Sequence, residues 1–411
     1  MAALFLPCAG GVESLLADEV ARIAARPAAA GRGGVFVDGD ERLAMQLNLE
    51  SRLAQRVLWP LAAGPYRDEQ DLYALARGVD WTAWIRPEQT LKVDVSARRS
   101  PLRSLNFAAL RIKDAVCDAL RECTGARPSV DTRRPDLPLA LFVGEHEASL
   151  YVDLSGAPLF KRGWREDRGE APLKETLAAA MLAAAGWRGR AEDGPLLDPC
   201  CGAGTIAIEA AQLACGIAPG LERRFAFEGL VPFRPHLDAW RSLQAAARAR
   251  VHAPAAAVHA GDVSFRMTDF AQRNAERAGV RDAIAFKTAD ALQRTPPAPQ
   301  GTIVMNPPYG ERLAPKGSRG PDRQADDEEA DAGGSGARES FAGGGTPATF
   351  FAALASHWKH HYGGWTAWVL SPEMKLPGLM RLKESRRVPL WNGPIECRLF
   401  RFDLVALAPR S

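Results

Sequence analysis

A chain of 411 residues with an apolar fraction of 46% has room for two or three globular cores, at roughly 100–200 residues per domain. Its net charge of +3 excludes a polycation, so any nucleic-acid contact must come from local basic charge. The seven cysteines (Cys8, Cys117, Cys123, Cys200, Cys201, Cys215 and Cys397) form no Cys-x-x-Cys pair and are odd in number. That excludes a zinc ribbon, a thioredoxin-like motif and a disulfide scaffold, and it points to a reducing cytoplasm.

The opening MAALFLPCAGG has no basic flank and too short an apolar run for an export signal. GVESLLADEVARIAA (11–25) places Val12, Leu15, Leu16, Val20 and Ile23 on one helical face. GGVFVDGD (33–40) alternates like a strand, and ERLAMQLNLESRLAQRVLWPL reads as a second amphipathic helix closed near Pro60. These make a small α/β unit over 1–64.

A second region follows over 65–160. DLYALARGVDWTAWI is helical, QTLKVDVSA (89–97) is a strand, and LALFVGEHEASLYVDLSG (139–156) is a hairpin. In the helix within 100–123, Ala108, Ile112, Val116, Ala119 and Cys123 recur at helical spacing and predict the core face. Charge is uneven here. From Lys92 to Arg134 ten basic residues face five acids, a local excess larger than that of the whole chain. Arg98, Arg99, Arg103, Lys113, Arg133 and Arg134 are the candidates for phosphate contact, because affinity for a nucleic-acid backbone is largely charge neutralisation. A solvated helix face is the plainer alternative.

From 161 to 411 strands and helices alternate, which implies a mostly parallel sheet. Strands are predicted at 195–200, 256–262, 283–290, 301–308 and 364–370, with a late pair around VPLW and CRLFRFDLVAL. Helices are predicted at 173–186, 203–215, 263–279, 347–362 and 374–384. LAAAMLAAA (177–185) is half a membrane span and reads as a buried helix. Residues 314–346 hold eight glycines and seven acids and almost no large apolar side chain, which predicts a disordered insertion.

Two stretches carry chemistry. LLDPCCGAGTIAIEAA (196–211) is a buried strand, a glycine turn and a helix. Gly202 and Gly204 let a ligand approach the backbone, Thr205 and the first helix amides can donate, Asp198 ends the strand and Glu209 lies on the helix. Asp262 ends the next strand, where a carboxylate can take both hydroxyls of a ribose. Asp290 ends the third, in position to accept from an adenine amine. Each acid alone is more ordinarily a helix cap. Together they indicate a nucleoside cofactor. Gly202-x-Gly204-x-x-Ala207 formally meets the dinucleotide fingerprint, but that pattern wants an acid about 20 residues on, and Asp262 lies far beyond. S-adenosylmethionine, which has no pyrophosphate to cradle, fits better. The second stretch is IVMNPPYG (303–310), a strand stopped by Asn306, two prolines and Tyr309. Adjacent prolines stiffen the backbone just past the strand. His357, His360 and His361 form an i, i+3, i+4 set with no fourth ligand, and no metal site is expected.

DPCCGAGT together with NPPYGERL resembles the amino-directed S-adenosylmethionine-dependent methyltransferases. With SRLAQRVLWPL, LYVDLSG, RGWR, APLKETLAAA, RNAERAG, YGGW and NGPIEC, nearly the whole chain resembles the THUMP-containing bacterial ribosomal RNA guanine-N2 methyltransferases of the RlmL type. The resemblance implies a ferredoxin-like domain at 1–64 and a THUMP RNA-binding domain at 65–160. It implies a Rossmann-like methyltransferase domain with a seven-stranded, mostly parallel sheet at 161–411. The second methyltransferase half fused in some members is not expected. The implied cofactor is S-adenosyl-L-methionine, bordered by Lys174, Glu175, Thr176, Asp198, Pro199, Cys201, Gly202, Gly204, Thr205, Glu209, Asp262, Asp290 and Asn306. The implied catalytic set is Asn306, Pro307, Pro308 and Tyr309. The Asn306 side chain and the Pro307 carbonyl accept from the target amine, Pro308 stiffens the turn and Tyr309 stacks on the base. The implied partner is ribosomal RNA of the large subunit, free or in an assembly precursor, met by a cytoplasmic monomer without membrane or metal. Rival readings are a transfer RNA guanine, a DNA adenine or a protein glutamine as target, a silent RNA-binding assembly factor, and an NAD oxidoreductase.

Overall fold

The computed structural model describes residues 1–169, 172–307 and 347–405. The expected insertion at 314–346, with Pro308 and Tyr309, lies outside them. The front of the chain builds one eight-stranded sheet from β1 (Ala2–Pro7), β2 (Ala29–Gly31), β3 (Gly34–Gly39), β4 (Leu58–Pro65), β5 (Thr90–Ala97), β6 (Ser129–Val130), β7 (Leu137–Val143) and β8 (Glu147–Asp153). Their order is β2-β3-β1-β4-β8-β7-β5-β6. Four helices accompany it: α1 (Glu13–Ala24), α2 (Glu41–Glu50), α3 (Glu69–Arg77) and α4 (Leu105–Thr124). The boundary expected at 64 falls inside β4, which pairs with β1 on one side and with β8 on the other.

The rear carries α5 (Glu175–Ala185), β9 (Leu196–Asp198), α6 (Thr205–Ala214), α7 (Leu237–Ala249), β10 (Val258–Asp262), α8 (Phe265–Arg277), β11 (Ile284–Thr288) and β12 (Gly301–Met305). It closes with α9 (Pro347–His361), β13 (Trp365–Ser371), α10 (Leu376–Met380), β14 (Arg386–Asn392) and β15 (Ile395–Asp403). Its seven strands run β11-β10-β9-β12-β13-β15-β14, parallel except for β15, which pairs antiparallel with β13 and β14. Among the described residues no helix is long and apolar enough to cross a membrane.

Three local expectations change, and the opening apolar run gains an assignment. The opening apolar run is β1, paired with β3 from Ala2–Gly39 to Pro7–Gly34. The second amphipathic helix does not reach Pro60. It stops at Glu50 because the buried Glu19 carboxylate captures the Ser51 hydroxyl at 2.6 Å and the Arg52 and Leu53 amides at 3.2 Å. Residues 58–65 are then free to become β4. On α4 the buried face is Ala108, Ile112, Ala115, Val116, Cys117 and Leu120, while residues 121–127 are all exposed, so Cys123 faces solvent and Ala119 is only half-buried. The helix expected over 374–384 is reduced to the single turn of α10.

Helix α7, for which the sequence offered no expectation, is a joint between the halves. With the 3-10 turns before it, it supplies Phe227, Phe233 and Trp240, and Phe233 meets Trp59 of β4 edge-on at 5.9 Å between centroids. Apolar contact continues from Leu4 and Leu16 in front to Leu196 and Ile206 behind.

The polar part of this joint is fully buried. Glu209 on α6 receives Arg52 Nη1 at 3.1 Å and Arg162 Nε at 3.0 Å. Arg162 also donates to the carbonyls of Arg52 and Leu159, both at 2.7 Å. Removing one member of a buried charge set leaves its partners uncompensated. Glu209→Ala is therefore expected to lose about 3–5 kcal/mol of unfolding free energy, read from urea denaturation.

Candidate cofactor and methyl-transfer site

The chain moves from β9 through α6 to β10 on one side, then returns from β11 across the sheet to β12 on the other. This places the switch point between β9 and β12, where open α/β sheets hold ligands beyond the carboxyl ends of their strands. Register aligns Asp198 with Ala260 and Leu197 with Ile303. The 199–204 turn therefore leaves the sheet between Asp262 on one flank and Asn306 on the other. With neighbouring strands about 4.8 Å apart, those two residues stand roughly 10 Å from each other across the turn.

Both glycines of the turn have positive φ, +51° at Gly202 and +90° at Gly204. A Cβ on Gly204 would press against Ala271 of α8 at 3.0 Å, whereas one on Gly202 would meet nothing within 4 Å. Gly204 thus serves helix packing, and Gly202 opens the turn to a ligand. Just below, the Cys201 amide donates to the Gly261 carbonyl at 2.8 Å. Pro199 and Cys201 shape the turn, and burial pushes the Cys200 and Cys201 thiols well above the ordinary thiol range.

The acids divide by environment. Asp198 is 1% exposed; one oxygen accepts from the Cys200 amide at 3.3 Å, and Oδ2 has no partner among the described residues. Burial pushes its carboxyl up to about 8. Asp262 accepts from Gly202 at 3.0 Å and Ser264 at 2.9 Å, so it braces the turn as well as facing it. Its carboxyl is raised by burial against the pull of those two amides. Asp290 accepts from the Leu292 amide at 2.9 Å, a turn-capping contact.

Before the first strand, Lys174 caps α5 and its ammonium lies 4.9 Å from the Phe160 ring centre. Glu175 and Thr176 are buried. Glu175 accepts from Arg165 Nε at 2.7 Å, and Arg165 Nη2 donates to the Thr205 hydroxyl at 2.8 Å. Arg165 thus joins two expected cofactor residues that are distant in sequence. Glu209 leaves the cofactor group: both its oxygens are held by Arg52 and Arg162 at the joint described above. Asn306 is half-buried and Pro307 buried at the end of β12.

Sequence reasoning passed over Arg165 and Arg294. Arg294 is 6% exposed, donates to the Ala260 carbonyl at 2.9 Å and pulls the Asp198 carboxyl down against the effect of its burial. The available signal was Gly261, whose missing side chain makes room for that guanidinium. Of the histidine trio, His357 bonds the Arg294 carbonyl at 2.8 Å and His360 the Ser356 carbonyl at 2.7 Å. Among the described residues no cluster could hold a metal ion.

The basic region of the front sheet divides in two. Arg98, Arg99 and Arg103 are exposed after the carboxyl end of β5. Arg133 and Arg134 are exposed at its opposite end, on a loop anchored by the Asp131 amide to the Leu91 carbonyl at 3.3 Å. An eight-residue strand puts these clusters roughly 25 Å apart. Lys113 lies on α4 and is paired with Asp114 at 2.7 Å.

The raised Asp198 carboxyl sets a pH dependence for the ligand-free protein. The folded chain keeps this proton up to about pH 8, while the unfolded chain loses it near the ordinary carboxylate range. The contribution is present at low pH and fades as pH rises toward 8. The urea midpoint of the wild type is expected to fall between pH 5 and 8 more steeply than that of Asp198→Asn; equal slopes would contradict the assignment.

Comparison with known proteins agrees with this fold. Residues 3–58 match the RlmL ferredoxin-like domain, 66–153 the THUMP domain and 162–320 the RMKL-like methyltransferase domain. Among solved structures, SMU.472, described as a methyltransferase and complexed with SAH, is 23% identical with a TM-score of 0.80, covering 100% of this chain and 99% of that one. A protein from Listeria monocytogenes described as an N6-adenine-specific DNA methylase is 25% identical with a TM-score of 0.79 over 98% and 96%. TrmN from Thermus thermophilus is 20% identical with a TM-score of 0.64 over 98% and 99%. The chain therefore carries an RlmL ferredoxin-like domain, a THUMP domain and an S-adenosylmethionine-dependent methyltransferase domain in that order.

Proposed function

We propose that the protein methylates the exocyclic N2 of a guanine in 23S ribosomal RNA, with S-adenosylmethionine as donor. The observation that carries this reading is the exit of Asn306-Pro307 from β12, one strand away from the open glycine turn that follows β9. The cofactor supplies a methyl group already activated by a positive sulfur. The chain's task is to present a nitrogen whose lone pair is delocalised into its base. Two acceptors, the Asn306 side-chain oxygen and the Pro307 carbonyl, take the two N–H bonds and hold that nitrogen in line, and orientation of this kind supplies much of the rate. No nucleophilic side chain is required. The upward shift of the Cys200 and Cys201 thiols agrees, since neither is a thiolate near neutral pH. Pro308 and Tyr309 complete the set by resemblance, Tyr309 stacking on a base that is flipped out or unpaired.

The arginine clusters on the front sheet fit phosphate and shape contacts with the RNA, which position without reading sequence. The full-length similarity to TrmN supports transfer RNA as the second reading.

The test is methyl transfer from labelled cofactor to ribosomal and transfer RNA, followed by digestion to nucleosides and mass spectrometry. N2-methylguanosine from large-subunit RNA is the expected product; label only in transfer RNA would favour the second reading. Asn306→Ala is expected to abolish transfer while cofactor affinity stays within a few-fold, and equal loss of both would contradict the acceptor role. Neutralising Arg98, Arg99 and Arg103 together is expected to weaken RNA binding and flatten its salt dependence. An unchanged slope would make these residues a solvated face.

A further inference from the structure

Arg165 is held more tightly than its bonds to the protein require. Its side chain is 11% exposed, with Nε on Glu175 at 2.7 Å and Nη2 on the Thr205 hydroxyl at 2.8 Å and the Leu173 carbonyl at 3.3 Å. Nη1 is buried and has no partner among the described residues. Leaving a buried charged donor unmatched is costly, so such a group signals a missing acceptor.

The surroundings specify which acceptor. Thr205 is the first residue of the ten-residue α6, whose cap, Gly204, offers no side chain to the free amides of the first turn. Helix starts with free amides favour anions. The Thr205 oxygen already accepts from Arg165, which leaves its own proton to donate onward. Glu175 occupies the Nε edge of the guanidinium and leaves Nη1 unmatched among the described residues. At the other end of the same turn, Asp198 is buried and its Oδ2 is also unmatched among the described residues. One short turn therefore separates an unmatched guanidinium nitrogen from an unmatched carboxyl oxygen. An ammonium and a carboxylate on one carbon, the α-amino-acid end of the cofactor, complement that pair.

We propose that Arg165, through Nη1 and with the Thr205 hydroxyl, is the anchor for the cofactor's α-carboxylate, opposite Asp198 as the acceptor for its ammonium. This rests on the 199–205 turn being the cofactor site. Glu175 is then a positioning residue that fixes the guanidinium rather than a cofactor contact.

The test is calorimetric titration of the full chain with three ligands. S-adenosylmethionine carries both groups, decarboxylated S-adenosylmethionine lacks the carboxylate, and 5′-methylthioadenosine lacks both. Arg165→Met is expected to weaken S-adenosylmethionine by about ten- to a hundredfold, the range of a charge-assisted bond, while the other two change less than about threefold. Asp198→Asn is expected to weaken both ammonium-bearing ligands and spare 5′-methylthioadenosine. Equal weakening of all three by Arg165→Met would make Arg165 a brace between α5 and α6, and an unchanged S-adenosylmethionine affinity would place the carboxylate elsewhere; either overturns the proposal. Should Arg165→Met fail to fold, the wild type decides. Decarboxylated S-adenosylmethionine is expected to bind at least about tenfold more weakly than S-adenosylmethionine, and parity would overturn the assignment. Wild-type protein that binds none of the three would instead remove the cofactor reading itself.

Discussion

The buried contact of Glu209 with Arg52 and Arg162 holds the two halves of this protein in one arrangement. Glu209 sits four residues into α6, the helix that begins at the glycine turn, and Arg52 follows α2 in the front sheet region. Burial pulls the Arg52 guanidinium down and Glu209 opposes that pull, so each buried charge is compensated by the other. A surface pair could slide or be screened by salt. This one has two guanidiniums and further carbonyl contacts around a carboxylate with no exposure. The front sheet is thereby fixed with respect to the turn that would hold the cofactor, and the apolar joint of Trp59, Phe233 and Trp240 reinforces it. A substrate gripped in front would meet the rear site at a set distance.

At the rear the topology assembles what composition alone cannot. Three strand ends bring a turn, two acids and an amide to one edge, and the low polarity there shows in the raised carboxyls of Asp198 and Asp262. Arg294, bonded to the Ala260 carbonyl, offsets part of the cost of burying Asp198.

Much of the rear was legible because its signals are local. Apolar runs bounded by Gly, Pro and Asp mark β9 to β13 within three residues, and the glycine turn and Asn-Pro-Pro exit are marked by backbone chemistry that few other residues supply. What could not be read depends on partners far along the chain. Helix α2 ends where it does because Glu19, more than thirty residues earlier, takes its next amides. Glu209 looked like a ligand residue because it follows the turn at helical spacing, and only the fold shows that it faces Arg52 and Arg162. The arginines counted as one patch are separated by helix α4, which returns the chain from the carboxyl end of β5 to its opposite end. Helix α7 has its apolar residues directed at a surface that exists only once β4 and the rear sheet have met.

The seven thiols differ enough to be useful. Cys8, Cys117, Cys201, Cys215 and Cys397 are buried, Cys200 is half-covered at the glycine turn, and Cys123 stands in solvent at the end of α4. Burial further suppresses the reactivity of the covered ones. A maleimide fluorophore added briefly to the native chain would settle on Cys123, on the helix that follows β5, and report docking of a nucleic acid on that side of the front sheet by its emission.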